Sequence, residues 1–236
     1  MIAHPSATPE DFVGGAVTAI ARLMRERDLK PGDRLPAEAL LSKELQVSRT
    51  VIREALRSLA ALNLVRLGAG RRPTVAELDD GAFSLMFEHG VVTDQIDIQQ
   101  IYDARRTIET RTAALAAMRR SEAECRAILS HAQAMEDQLD HPDAVMEHDI
   151  AFHIAIARAS RNPVFVLIIG AFQGITRQTW PIGWKSRASD DERRAMNALH
   201  MKIAESIAAG DPKASSTLMG EHFDQSIKAL LNAGLI

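Results

Sequence analysis

The chain has 236 residues, 46% of them hydrophobic and 25% charged, with a formal net charge of −3; this is the composition of an ordinary soluble globular protein, with enough chain for one or two cored domains. Its single cysteine, Cys125, excludes an internal disulfide and fits a reducing compartment. The opening MIAHPSATPEDF lacks the order of a signal peptide, and the longest apolar run, Val164–Phe172, is too short to span a bilayer, so a cytoplasmic protein with no membrane partner is expected.

Charge is unevenly divided. Residues 1–78 hold 12 Lys+Arg against 9 Asp+Glu, and residues 79–236 hold 16 against 22. Between Arg49 and Val75 six arginines face one acid, Glu54, the pattern of a polyanion-binding head on an acidic body.

In chain order, EDFVGGAVTAIARLMRERDL carries apolar residues at helical spacing and predicts a first helix. KPGDRL is a turn, with Arg34–Leu35 as a short strand. PAEALLSKEL opens a second helix with proline at its start and acids in its first turn. After QVS, Ser48 is placed to cap RTVIREALRSLAALNL, whose Val51, Ile52, Ala55, Leu56 and Leu59 form the inner face. Two helices separated by three or four residues suggest a helix-turn-helix. LVRLGAGRRPTVA then reads as strand, basic glycine turn and strand, which completes the order of a winged helix.

In such a fold the N-terminal end of the second helix reaches base edges. Here that end presents Ser48, Arg49, Thr50 and Arg53, with Arg57 further along and Gly70, Arg71 and Arg72 at the wing tip. Arginine can donate two hydrogen bonds to guanine, while hydroxyls serve bases or phosphates. The competing reading is a solvated surface on which Arg53 and Arg57 pair with Glu54 and its neighbours. The stretch LKPGDRLPAEALLSKELQVSRTVIREALRSLAALNLV closely resembles the signature of the GntR family of transcription regulators. The resemblance covers roughly residues 13–76 and implies a winged helix-turn-helix that binds a pseudo-palindromic operator as a homodimer. It places DNA contacts on Arg34, Ser48, Arg49, Thr50, Arg53, Gly70 and Arg71. Ala39 stands where the family usually has a DNA-contacting arginine, and Val51 replaces a frequent threonine, which implies a different or more weakly bound operator.

Beyond a hinge at Glu77–Asp80 every segment has helical period. A short amphipathic piece, Gly81–His89, precedes DIQQIYDARRTIETRTAALAAMRR. Ser121 and Glu124 then form a capping-box pair. A helix through EHDIAFHIAIARASRN follows, and the next begins at Asn162–Pro163. PIGW is expected to break that helix, and two further helices joined by Gly210–Asp211–Pro212 close the chain. The expected fold is therefore mainly α. A winged helix-turn-helix spans 10–76, a hinge and short linking helix span 77–96, and an all-α antiparallel bundle of about six or seven helices spans 97–236.

Asp149 and His153 are four apart, so on a helix they share a face. His200 lies ten residues before Gly210 and His222 ten after Pro212, so both stand about 15 Å from the turn and level with each other. Three imidazoles and a carboxylate suit a divalent metal ion: zinc foremost, nickel or manganese otherwise. The alternative is a histidine satisfied in the core by Asp149. His4, His89, His131, His141 and His148 lack such partners and are expected at the surface.

YDARRTIETRTAALAA, DIAFHIAIARASRN and LHMKIAESIAAGDPKASSTLMGEHF resemble the FCD domain, the helical sensor of the FadR subfamily of GntR regulators. Metal-binding members have an Asp-x-x-x-His pair and two later histidines, which fall on Asp149, His153, His200 and His222. The resemblance also implies a small carboxylate effector (a sugar acid, uronate or hydroxy acid) bound near Arg105 and Glu109, with Asn162 adding a polar contact. For Arg105 the alternative is a surface ion pair with Glu109. Trp180 and Trp184 either cap the bundle or line the pocket mouth. The expected function is a transcription regulator, a repressor released from DNA by its effector. The alternatives are a metal-dependent hydrolase or lyase with a docking N-terminal domain, and a regulator whose metal is purely structural.

Overall fold

A computed structural model of the protein describes residues 9–236. The chain forms two compact units, the first ending at Ala82 and the second running Phe83–Ile236. Among the described residues no helix is long and apolar enough to cross a membrane.

The first unit contains α1 (Pro9–Glu26), α2 (Glu38–Leu45), α3 (Arg49–Ala61), β1 (Val65–Arg66) and β2 (Thr74–Val75). Its core is the apolar face that the sequence periodicity outlines: Ile20, Leu41, Ile52, Leu56, Leu59 and Val65 are buried together. The α2–α3 turn is set by Gln46, which adopts a left-handed conformation at φ 55°, and by Ser48, whose Oγ accepts the Val51 N–H to cap α3. β1 and β2 are antiparallel, with Val65 opposite Val75 and Arg66 opposite Thr74. Arg34 and Leu35 add less than the expected strand. Arg34 makes a single bridge to Thr74, and the Leu35 N–H donates to Pro73 O. Pro36 follows at once and has no N–H to continue a ladder.

The expected linking piece is α4 (Gly81–Val92). The second unit then runs through α5 (Ile98–Arg119), α6 (Glu122–Asp137), α7 (Pro142–Ala159), α8 (Pro163–Ala171), α9 (Gln173–Ser186), α10 (Asp190–Ala208) and α11 (Pro212–Asn232). Its core gathers Ile128, Met135, Phe152, Ile156, Ile203 and Phe223. α5 packs against α7, α10 and α11, while α6 packs against α7 and α10. Local signals open several of these helices. Ser121 and Glu124 close a capping box on α6, Asn162 Oδ1 caps α8, and Asp211 Oδ1 accepts the Lys213 and Ala214 N–H groups at the start of α11. The α10–α11 hairpin turns at Gly210, whose φ of +71° suits glycine. Below the turn the Ser206 and Ser215 hydroxyls meet at 2.9 Å, which sets the register of the two helices.

One expected boundary is wrong. PIGW does not break the chain: Pro181 lies inside α9. An interior proline removes one backbone hydrogen bond, here to the carbonyl four residues back. The indoles of Trp180 and Trp184, stacked 4.8 Å apart and 16° from parallel, span the turn that contains it. The chain bends instead at Phe172, which is buried with Ile101 and Ile175. Tertiary packing fixes that bend without a proline.

Because each unit has its own core, Leu56→Ala should act on one alone. A buried leucine truncated to alanine costs about 2–5 kcal/mol. Amide exchange should therefore quicken across α1–α3 while protection in α5–α11 holds; an equal loss in both units would contradict separate cores.

Candidate functional site

The first unit presents a basic face. α3 buries Ile52, Ala55, Leu56 and Leu59, which turns Ser48, Arg49, Thr50, Arg53 and Arg57 outward, all exposed. Arg53 bonds Glu38 of α2 at 3.1 Å, and Arg57 bonds Glu54 at 2.8 Å. These side chains are well exposed, so water screens the pairs and leaves the guanidinium groups exchangeable. Arg34, Gly70 and Arg71 are also exposed, and Gly70 takes φ +65° at the wing tip. Arg72 differs from its neighbours: its Nε donates to Leu35 O at 3.1 Å and ties the wing to the body. Arg53, Arg57, Arg71 and Arg72 line one groove between α3 and the wing.

The second unit brings Asp149 and His153 of α7, His200 of α10 and His222 of α11 into one buried cluster. One ligand atom from each lies within 4.8 Å of all the others. The His200 and His222 rings stand 4.5 Å apart, level across the hairpin. Around them Phe152 and Phe223 supply aromatic walls.

Hydrogen bonds on the far side of the His153 and His200 rings decide which of their nitrogens faces inward. His153 Nδ1 is bonded to Glu109 Oε2, and His200 Nδ1 lies 3.0 Å from the Met196 carbonyl. A carbonyl accepts only from N–H, so the proton of neutral His200 sits on Nδ1 and Nε2 carries the lone pair. His153 Nε2, His200 Nε2 and His222 Nδ1 are buried without a hydrogen-bond partner. His200 Nε2 lies 2.8 Å from Asp149 Oδ1, an ion-pair distance. Buried nitrogens left unpaired each cost about 1–3 kcal/mol. Their convergence on one carboxylate is the arrangement of ligands around a cation, with His153 and His200 each oriented from behind by a hydrogen-bonded partner. The four residues therefore fit a divalent metal ion.

The electrostatics agree. Burial alone would raise the Asp149 carboxyl, but His200 foremost, then His153 and His222, hold it well below the usual carboxylate range. Burial, reinforced by His200 and His153, drives His222 well below its ordinary value and keeps it neutral. Burial also opposes ionisation of Glu109, yet His153 and Arg105 hold its carboxyl below its ordinary value.

Arg105 and Glu109 form the expected pair at 2.8 Å, but they are 6% and 1% exposed, which excludes a surface ion pair. Glu109 stands behind the cluster and bonds Arg105 and His153, so it orients groups and does not line the cavity. Arg105 reaches the cavity and donates to Thr176 Oγ1 at 2.9 Å. Asn162 is removed from the site: its side chain is used in capping α8. The cavity beside the cluster is lined by Asp149, His200 and His222 with Tyr102, Arg105 and both tryptophans. Trp180 and Trp184 thus line the pocket.

Sequence reasoning missed Arg187, which lines the same cavity. Thr176, Thr179, Trp180, Gly183, Trp184 and Arg187 recur at helical spacing along α9 and its C-cap, and all face that cavity. Reading Pro181 as a break hid the pattern. Two surface histidines are also corrected. His131 and His148 are half-buried, with their Nδ1 atoms 3.2 Å apart across α6 and α7. His89 and His141 are exposed, and His4 lies outside the described residues.

Residues 14–75 match the bacterial regulatory proteins of the gntR family, and residues 100–225 match the FCD domain. The chain belongs to the GntR family. It is 28% identical to the HTH-type transcriptional regulator LutR of Bacillus subtilis (strain 168), over 85% of this chain and 92% of that protein. It is 30% identical to the galactonate operon transcriptional repressor of Escherichia coli (strain K12), over 65% of this chain and 69% of that one. In fold it is similar to a Streptococcus agalactiae GntR structure, with a TM-score of 0.68 at 23% identity over 90% of this chain and 97% of that one. This GntR-family chain is a DNA-binding transcription regulator with an FCD domain, not an enzyme.

Two outcomes are expected. Arg49→Ala should weaken specific operator retardation in a gel shift roughly 10–100-fold, the worth of one bidentate base contact, with helicity by circular dichroism intact; unchanged binding would remove Arg49 from the interface. Glu109→Gln should lower metal affinity roughly 10–100-fold in a chelator competition, the usual effect of losing a ligand's supporting group; wild-type affinity would show that Glu109 does not support His153.

Proposed function

We propose that this regulator is a repressor that binds a pseudo-palindromic operator as a homodimer and releases it when a small carboxylate binds at a divalent metal centre. The metal ligands are Asp149, His153, His200 and His222, and zinc is the ion that best suits three imidazoles and one carboxylate. Ser48, Arg49, Thr50 and Arg53, with Arg34, Gly70 and Arg71, contact DNA. One observation carries the effector reading: three buried imidazole nitrogens, none with a hydrogen bond, converge on Asp149 at the wall of an arginine-lined cavity. When bound, the ion supplies coordination positions that a carboxylate and an adjacent hydroxyl can complete.

The residues of the chain do the rest. Arg105, buried and held by Glu109 and Thr176, offers a fixed guanidinium to remaining negative charge. Tyr102 is held by Thr179 at 2.9 Å, and the stacked indoles give a flat apolar wall suited to the C–H face of a polyol chain. A polyhydroxy acid fits that mixture, and one relative is named for the galactonate operon. The cavity at the ligands supports sensing over a purely structural metal.

The test is a thermal-shift series of sugar acids and hydroxy acids against protein with bound metal and against chelated protein. An acid that raises Tm should do so only with metal present, because ligand stabilises the state it binds. The same acid should release operator DNA in a gel shift, and His153→Ala should remove both effects. Stabilisation that survives chelation would assign the metal a structural role.

A further inference from the structure

Arg187 is the group in this cavity that a simple sugar acid leaves unanswered. It sits at the C-cap of α9, half-buried, and its Nη1 folds back to donate to Gly183 O at 2.9 Å. A Cβ added at Gly183 would lie 3.8 Å from that nitrogen, so the guanidinium rests directly on the helix surface. Arg193 Nη2 donates to the Arg187 carbonyl at 3.1 Å and steadies the backbone there. Arg187 forms no ion pair among the described residues, whereas Arg105 in the same cavity is matched by Glu109. Burial accordingly lowers the Arg187 pKa, opposed by the field of Asp149. A guanidinium does not lose its proton in proteins, so Arg187 presents a fixed positive charge to the cavity it lines.

The charges decide what kind of ligand answers it. Asp149 exerts the largest negative field on Arg187, with Glu192 adding to it, and in the four-ligand centre the Asp149 charge is spent on that centre. One carboxylate held there and at Arg105 leaves Arg187 a half-buried cation in the cavity wall without an ion-pair partner. We propose that the effector is a dianionic acid, with one carboxylate at the Asp149, His153, His200 and His222 centre and a second carboxylate on Arg187. Arg187 is then the residue that distinguishes diacids from the monoacids of the same skeleton. This assignment rests on the effector reading above and narrows it to one charge class.

Gluconate and glucarate provide the comparison, because they share a carbon chain and differ in whether C6 is an alcohol or a carboxylate. Binding is measured by isothermal titration calorimetry on the full, metal-loaded chain, with metal content determined by mass spectrometry. Glucarate should bind roughly 10–100-fold more tightly than gluconate, the range of a charge-assisted hydrogen-bonded pair. Arg187→Gln should erase that preference by weakening glucarate alone, with gluconate affinity and metal content unchanged. Arg187→Lys, which keeps the charge without the planar fork, should restore part of it. Equal affinity of the wild-type chain for both acids, or an equal loss of both in Arg187→Gln with metal retained, would overturn the diacid assignment and leave the effector reading standing. Binding of neither acid, with other carboxylates also failing in the thermal-shift series, would overturn both.

Discussion

The second unit depends on one buried carboxylate. Glu109 takes the Arg105 Nε–H on one oxygen and His153 Nδ1 on the other, at 1% exposure. A lone carboxylate at that depth would be expensive, but two hydrogen-bonded partners offset the loss of water. The same two bonds aim Arg105 along the cavity wall and turn His153 Nε2 toward Asp149. Ligand orientation and pocket charge are thereby coupled through one side chain on α5. Neither Arg105 nor His153 could be left buried by itself without an unpaired group.

The remaining ligands are placed by helix packing. α10 and α11 are locked by the Ser206–Ser215 contact and the Gly210 turn, so His200 and His222 have no freedom to slide past one another. Phe152 contacts the His153 and His200 rings edge-on, which limits their rotation. A cluster built this way is close to its ligating shape before anything binds, so little ordering entropy remains to be lost on binding.

Much of this was legible in the sequence, for identifiable reasons. The Ser48 cap, the α3 apolar face and the glycine turn are local signals, and they specify the winged unit with its exposed arginines. His200 and His222 could be matched because a tight helical hairpin makes distance from the turn a measure of height. What failed needed tertiary knowledge. Pro181 stays helical because packing around it tolerates one absent bond, and the bend at Phe172 is fixed by Ile101, 71 positions away in sequence. Asn162 obeys its local role as a cap, and that use removes it from the pocket. The His131–His148 contact joins two helices whose relative rotation no periodicity reveals.

Arg187 combines both kinds of failure and shows what a motif-based view of this cavity omits. The family signature points to the four-residue cluster and Arg105, which on the proposed reading would take one anionic end of an effector. The wall on α9 is a repeating face, from Thr176 and Thr179 through Trp180 and Trp184 to Arg187, and its meaning depends on the helix being continuous through Pro181. With continuity established, hydroxyls lie at one end of the face, stacked indoles in the middle and a cation without an ion pair among the described residues at the other. That gradient runs from groups that orient a polar chain to a group that demands charge. On the diacid proposal, the second charge would be read by α9, and the coordinating end by α7, α10 and α11.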